Sequence, residues 1–287
     1  MNRDQDQQRL VEACMAIYGD SGDGIQRVQT EHRCKLAQFW QIQKGERVLE
    51  IGCGQGDTTV VLAQFVGEGG FVHGIDIASP DYGAPMTLGE AAAELKASAI
   101  GGRIQLDFET DVLELEFPYE AFDTIVMSHC SWYFASREQL QQVLAKVSKW
   151  GKRLCFAEWD ARMTETGQYP HLLAALIQAQ YEAYKPDSQS NIRTLFAPDD
   201  LLEIAEAAGW SLHSETSIYS PELQDGGWEV DYTLQCYEEE MGAAVGIPNK
   251  LTALIASQIS LLHEAKRTHG IKPLPTFAFI AASKERD

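Results

Sequence analysis

From residue 46 onward, short apolar runs alternate with longer helical patterns, the rhythm of a parallel α/β sheet. Apolar runs at residues 47–51, 71–76, 103–108, 122–128 and 153–159 predict five strands. Between the first two, Gly52 to Gly56 forms a turn, and Asp57 is placed to cap a helix through Val60, Val61, Leu62 and Phe65. Thr87 to Glu90 has the spacing of a capping box and opens a helix through Leu95. Ser136 to Gln139 repeats that spacing, and Leu140, Val143, Leu144 and Val147 follow at helical period.

Beyond residue 160 the rhythm changes. Residues 171–184 read as a helix, and residues 197–209 as another with Pro198 at its start and Gly209 past its end. Residues 210–219 then predict a strand. Residues 221–272 are helical again, with Leu251, Leu254, Ile255, Ile259 and Leu262 on one side of a long segment, and 276–282 form an apolar strand. The expected fold is α/β, a doubly wound, mostly parallel sheet whose core comprises residues 44–160, 196–220 and 274–287. Residues 1–43, 161–195 and 221–273 would be helical cap segments over the sheet's carboxyl edge, where open α/β sheets bind ligands. A dimerisation surface is the other reading of the same helices.

Charge narrows the partners. Acidic residues number 42 against 23 basic ones, a formal net charge of −19. Such a surface repels phosphate backbones and anionic lipid, so neither nucleic acid nor membrane is an expected partner. The six cysteines (Cys14, Cys34, Cys53, Cys130, Cys155 and Cys236) show no paired spacing, so neither a zinc site nor a disulfide framework is expected. Cys53, Cys130 and Cys155 lie in or beside apolar runs and read as small core residues. The first ten residues are polar, and no apolar run approaches the ~18 residues of a membrane span, so the expected setting is the cytoplasm.

The most informative stretch is VLEIGCGQGD, Val48 to Asp57. Its glycines follow a strand and open a helix, so the backbone can turn tightly and approach a ligand, with the helix's unpaired N–H groups facing it. Asp76 stands 20 residues after Gly56, where a carboxylate can accept hydrogen bonds from both hydroxyls of a ribose. A dinucleotide site needs G-x-G-x-x-G, but the third glycine position is Asp57, whose charge would sit beside a diphosphate. NAD and a purely structural turn are the competing readings.

The actual spacing, G-x-G-x-G preceded by Glu50, resembles motif I of the class I S-adenosylmethionine-dependent methyltransferases. Further similarity lies in Asp111-Val112 after the third strand, in residues 122–128, and in 196–201 through 208–210. The turn at 148–152 is also similar, with Lys152 where the family has a glycine. The resemblance spans roughly residues 36–160, 196–220 and 274–283. It implies a seven-stranded sheet whose antiparallel last strand inserts between the fifth and sixth, and S-adenosyl-L-methionine as cofactor. Carried over, Glu50, Gly52 and Gly54 would surround the methionine part, with Cys53 beside them in the turn. Asp76 would hold the ribose and Ile77 would pack on adenine, although the loop at 79–85 is longer than usual. Asp111 and Val112 would meet the adenine edge, and Ser128 and His129 would lie near the sulfonium. No metal ligand is implied.

The resemblance further implies methyl transfer to a small organic acceptor on oxygen, nitrogen or carbon. His129, directly after the fourth strand, is the leading candidate base. Glu158 and Asp160 share one face at the end of the fifth strand, with Trp159 opposite, and are further candidates. His32 and Tyr18 could reach in from the N-terminal segment. Each of these also has a structural reading: a hydrogen-bonded histidine, a solvated strand end, an amphipathic helix. Trp132, Tyr133, Phe134, Trp159, Tyr169, Tyr181, Tyr184 and Trp228 are placed to line a pocket for an apolar or aromatic acceptor, or simply to fill the core. A cyclase using the cofactor without methyl transfer, and a non-catalytic binding module, are the alternative functions.

Overall fold

Strands β1 (Arg47–Ile51), β4 (Phe122–Ser128) and β5 (Gly151–Trp159) are apolar on both sides because helices cover both faces of the sheet. The computed structural model describes residues 3–18, 24–186, 188 and 190–284. Leu49, Ile51, Ile125, Met127, Leu154 and Phe156 face one apolar layer, shared with α5 (Arg137–Val147) and α7 (Pro198–Ala207). Val48, Val126, Cys155 and Ala157 face the other, shared with α1 (Arg3–Tyr18), α2 (Gly24–Phe39) and α3 (Asp57–Val66). This one-residue alternation places every second side chain in the opposite layer.

Strands β2 (Phe71–Ile75), β3 (Ile104–Asp107), β6 (Trp210–Ile218) and β7 (Thr276–Ser283) complete a seven-stranded sheet in the order β3-β2-β1-β4-β5-β7-β6. Pairings among β1 to β5 are parallel, and β7 runs antiparallel to both β5 and β6. The sheet is therefore the doubly wound one expected, with its antiparallel last strand inserted before β6. Phe279 of β7 stacks on Phe156 of β5, ring centroids 5.0 Å apart, so the last strand is core rather than edge. Helices α6 (Tyr169–Glu182), α8 (Asp225–Ala243) and α9 (Asn249–His269) pack together over a third apolar cluster that includes Leu173, Tyr181, Val230, Ile255 and Leu262.

Some local expectations need correction. Asp57 does not cap α3: Gly56 takes that place with φ 87°, and Asp57 is the first helical residue. Its carboxylate instead accepts from Gln26 Nε2 at 3.0 Å. The box at Thr87 is complete and opens α4 (Leu88–Ala97), whereas the box at Ser136 is half made. Ser136 accepts from the Gln139 N–H, but the Gln139 amide oxygen turns to the N–H of Ala135. On α9, Ile255, Ile259 and Leu262 face inward, but Leu254 is exposed because the buried stripe is narrower than the apolar pattern.

Candidate functional site

Strand order reverses at β1, whose neighbours β2 and β4 carry the chain away in opposite directions. Beyond the carboxyl ends of these strands lies a cavity of about 830 Å³, within the usual size of small-molecule sites. Its walls come from the glycine turn, the segments after β2, β3 and β4, and two arginines, Arg33 and Arg193.

The glycine turn is held by its neighbours. Gly52 has φ 73°, and a Cβ there would fall 2.7 Å from Cys130 Cβ, so a side chain is excluded on both counts. The Gly54 N–H donates to Asp76 Oδ2 at 2.8 Å, and Asp76 Oδ1 accepts from the Ala78 N–H at 2.9 Å. These two bonds fix the carboxylate on the cavity wall next to the turn. Cys53 and Ile77 also line the cavity, the first buried and the second 65% exposed. Asp111, which accepts from the Leu113 N–H at 2.8 Å, and buried Val112 line the cavity as well. Ser128 also lines the cavity, and its hydroxyl is buried with no hydrogen-bond partner among the described residues.

Glu50 is placed differently from expectation. It lies behind the turn rather than on the cavity wall, 2% exposed, and accepts from Thr59 Oγ1 at 2.6 Å. The cause is strand alternation, which points Glu50 into the α3 layer. Burial pushes its carboxyl up to about 8, against the opposing pull of the Thr59 hydrogen bond.

His129 does line the cavity. Its backbone is left-handed, φ 52°, while its N–H donates to the Ala157 carbonyl at 2.9 Å. Strained backbone of this kind costs ~1–3 kcal/mol and tends to sit where function needs a side chain aimed. The ring packs against Trp159 at 4.5 Å, with Nδ1 3.6 Å from Glu158 Oε1 and Nε2 3.4 Å from Thr276 Oγ1.

Neither strand-end carboxylate reaches the cavity. Glu158 is 1% exposed and accepts from Ser131 N–H and Oγ–H, Trp132 N–H and Trp159 N–H at 2.7–3.4 Å. Asp160 is 2% exposed, held by Arg162 at 2.9 and 3.0 Å and by Ser217 Oγ at 3.1 Å. Asp160 lies just past the end of β5, and both carboxylates, expected on the acceptor side, are enclosed by packed protein. His32 is buried behind β7, and the Tyr18 side chain lies outside the described residues. Of the aromatic set, Tyr133 and Phe134 line the cavity; Tyr181 fills the α6–α8–α9 cluster, Trp132 fills the sheet core, and Trp228 is half exposed.

Sequence reasoning missed Arg33 and Arg193. Arg33 donates to Gln29 Oε1 at 2.6 Å and pairs with Asp57 at 3.5 Å, while Gln29 in turn donates to Asp225 of α8 at 2.7 Å. Arg193 is anchored by its N–H on the Trp132 carbonyl at 2.8 Å. No local sequence pattern marks either arginine as a cavity residue.

Comparison with known proteins fits this geometry. A family profile described as a methyltransferase domain matches residues 48–153, and one for protein-L-isoaspartate(D-aspartate) O-methyltransferase matches residues 12–82. The crystal structure of a cyclopropane-fatty-acyl-phospholipid synthase-like protein from Lactobacillus casei is 35% identical in sequence. The match covers 96% of this chain and 99% of that one, with a TM-score of 0.84. The chain belongs to the class I S-adenosylmethionine-dependent methyltransferase family. Methyltransferase phomM of Diaporthe leptostromiformis is 27% identical over 226 residues, covering 65% of this chain and 58% of its own. The ubiquinone/menaquinone biosynthesis C-methyltransferase UbiE of Vibrio vulnificus is 31% identical over 185 residues, 64% of this chain and 65% of its own. The chain thus spans less than two thirds of the length of these curated relatives.

The residues present fit S-adenosylmethionine, the family's cofactor. A fixed carboxylate beside a glycine turn and an unpartnered Ser128 hydroxyl meet a nucleoside with an amino-acid tail. The carboxylates of Asp57 and Asp76 would oppose a diphosphate. Among the described residues no group of His, Cys, Asp or Glu is arranged to hold a metal ion, and no helix is long and apolar enough to cross a membrane.

Proposed function

We propose that the protein transfers the methyl group of S-adenosylmethionine to a small, largely apolar organic acceptor, with His129 as the base that removes the acceptor's proton. The carrying observation is the placement of His129, whose left-handed backbone sets its ring on the cavity wall next to Ser128. When bound, the cofactor supplies an electrophilic methyl carbon attached to positive sulfur.

The chain supplies grip, alignment and dryness. Asp76 would accept from the ribose hydroxyls, Asp111 and Val112 would meet the adenine edge, and Ile77 would pack on its face. Gly52, Cys53 and Gly54 would bracket the methionine part, with Glu50 behind them. Glu158, saturated by its own donors, does not take the proton; its nearer oxygen faces His129 Nδ1 and favours a proton there, leaving Nε2 free as the base. Tyr133 and Phe134 give the acceptor an apolar surface, and α6, α8 and α9 act as a cap, tied to the cavity through Asp225, Gln29 and Arg33.

The relatives' names suggest quinone and unsaturated acyl-lipid acceptors as first probes. Incubation with methyl-tritiated cofactor and either demethylmenaquinone or zwitterionic unsaturated phosphatidylethanolamine should label the acceptor, and His129→Ala should abolish labelling while cofactor affinity stays within a few-fold. Conversion that runs equally well with S-adenosylhomocysteine would replace this reading with a cyclase. Absence of any cofactor binding in calorimetry would replace it with a non-catalytic module.

A further inference from the structure

Methylation of an O–H, N–H or activated C–H acceptor releases one proton per turnover, and that proton has to leave the site. His129 is joined to a way out. Its Nε2 lies 3.4 Å from Thr276 Oγ1, and the same hydroxyl lies 3.1 Å from His32 Nε2. His32 Nδ1 lies 3.0 Å from Ser220 Oγ, which also accepts from Lys35 Nζ at 3.1 Å. Thr276 is 0% exposed, His32 2% and Ser220 6%, while Lys35 is partly exposed. The chain of polar atoms therefore runs from the cavity wall, through β7 and α2, to a partly exposed lysine.

We propose that Thr276, His32 and Ser220 are a proton relay that carries the acceptor's proton from His129 to water beside Lys35. The proposal rests on the reading of His129 as the base. None of the three lines the cavity, so each acts through His129 and not on the acceptor.

Proton bookkeeping closes at every hop. As the acceptor's electron pair bonds to the methyl carbon and the carbon–sulfur bond breaks, the acceptor's proton passes to His129 Nε2. That proton moves to Thr276 Oγ1 while the threonine's own proton moves to His32 Nε2. The proton on His32 Nδ1 moves to Ser220 Oγ, whose own proton leaves to water. One proton has left, and each relay group is neutral again; hydroxyl rotation and a tautomer change restore the start. Lys35 already occupies one lone pair of Ser220, so with His32 on the other the serine's hydrogen must point elsewhere.

This direction requires a neutral His32 with hydrogen on Nδ1. Burial, reinforced by the facing charges of His129, Arg33 and Lys35, holds His32 well below the ordinary imidazole range. A neutral imidazole is a donor at one nitrogen and an acceptor at the other, which suits passage without charge storage.

The test is nitrogen-15 NMR of the full-length, histidine-labelled protein, which needs no acceptor. The expected spectrum has His32 neutral from pH 5 to pH 8, hydrogen on Nδ1 and a bare Nε2. Its ring N–H should exchange with water at least tenfold faster than the buried backbone amides of β7, and Ser220→Ala should slow that exchange at least tenfold. Thr276→Val should shift the Nε2 resonance, and Thr276→Ser should restore it. Hydrogen on Nε2 in the wild type, a charged His32, or exchange unaffected by Ser220→Ala would each overturn the relay. Loss of labelling in His129→Ala together with any of those results would leave the base reading standing and remove only the relay. Full labelling by His129→Ala would remove the base itself.

Discussion

Replacing Glu50 by Gln should flatten the acid side of the pH dependence of cofactor binding. Glu50 is 2% exposed, and burial lifts its carboxyl from the ordinary 4.5 to about 8. At pH 7 it is therefore about nine-tenths protonated in the free protein. The family resemblance would put the methionine part of the cofactor around this residue, and its ammonium there would favour the carboxylate. Binding and ionisation are then linked, so affinity should climb roughly tenfold per pH unit below 8 and level off there. The ammonium's own titration, near ~7.7–8.0, produces a fall on the alkaline side.

Calorimetric titration with S-adenosylhomocysteine at pH 7, in two buffers of different ionisation heat, should show net release of roughly 0.8 proton per ligand. Glu50→Gln should keep the alkaline limb, lose the acid limb and release no proton. The free protein gives a second readout of opposite sense. A carboxyl whose folded value is raised binds more protons when folded, so its contribution to stability is present below 4.5 and lost as the pH rises through about 8. That difference is on the order of 5 kcal/mol, so at pH 9 the Gln variant should need more denaturant to unfold than the wild type. Wild-type affinity flat from pH 6 to pH 8, or an unchanged slope in the variant, would refute the placement of a cation beside Glu50.

Asp76→Ala removes two charge-assisted acceptors from the proposed ribose site, roughly 1.5–3 kcal/mol each, and should weaken S-adenosylhomocysteine binding at least a hundredfold with an unchanged circular dichroism spectrum. Affinity within threefold of wild type would contradict it. Gly52→Ala forces a Cβ to 2.7 Å from Cys130 Cβ at φ 73°, and a loss of about 1–3 kcal/mol should appear as a lower melting temperature. Phe279→Ala empties a fully buried position stacked on Phe156 and should cost about 3–5 kcal/mol in urea unfolding, a test of β7 as core.

Much of the sheet was legible because its strands obey local rules. The run at 122–128 coincides with β4, since both faces are covered and the apolar stretch Ile125 to Met127 carries the signal in spite of Asp123 and Thr124. Ends were less legible: β3 spans Ile104–Asp107, shorter than the run that predicted it, because a strand stops where its partner stops. The place of β7 between β5 and β6 has no local signature and came only through family resemblance. Leu254 shows the same limit on α9, where the apolar pattern cannot tell which flank a neighbouring helix covers.

The candidate site divides along the same line. Gly52, Gly54 and Asp76 were readable because a tight turn demands glycine and the hydrogen bond from the Gly54 N–H demands an acceptor on the adjacent strand end. Glu158 and Asp160 were misread because alternation gives a face but not its contents. For Glu158 the contents are the N–H groups of Ser131, Trp132 and Trp159, which fill the carboxylate before any acceptor arrives. Arg33, His32 and Thr276 belong to elements that share no sequence neighbourhood with the glycine turn, and only folding brings α2 and β7 against the end of β4. A base can therefore be nominated from one strand end, as His129 was, whereas what sets its tautomer and drains its proton depends on contacts 29 to 147 positions away. Short-range pattern holds the grip on the cofactor; the chemistry of the acceptor is written in long-range contacts.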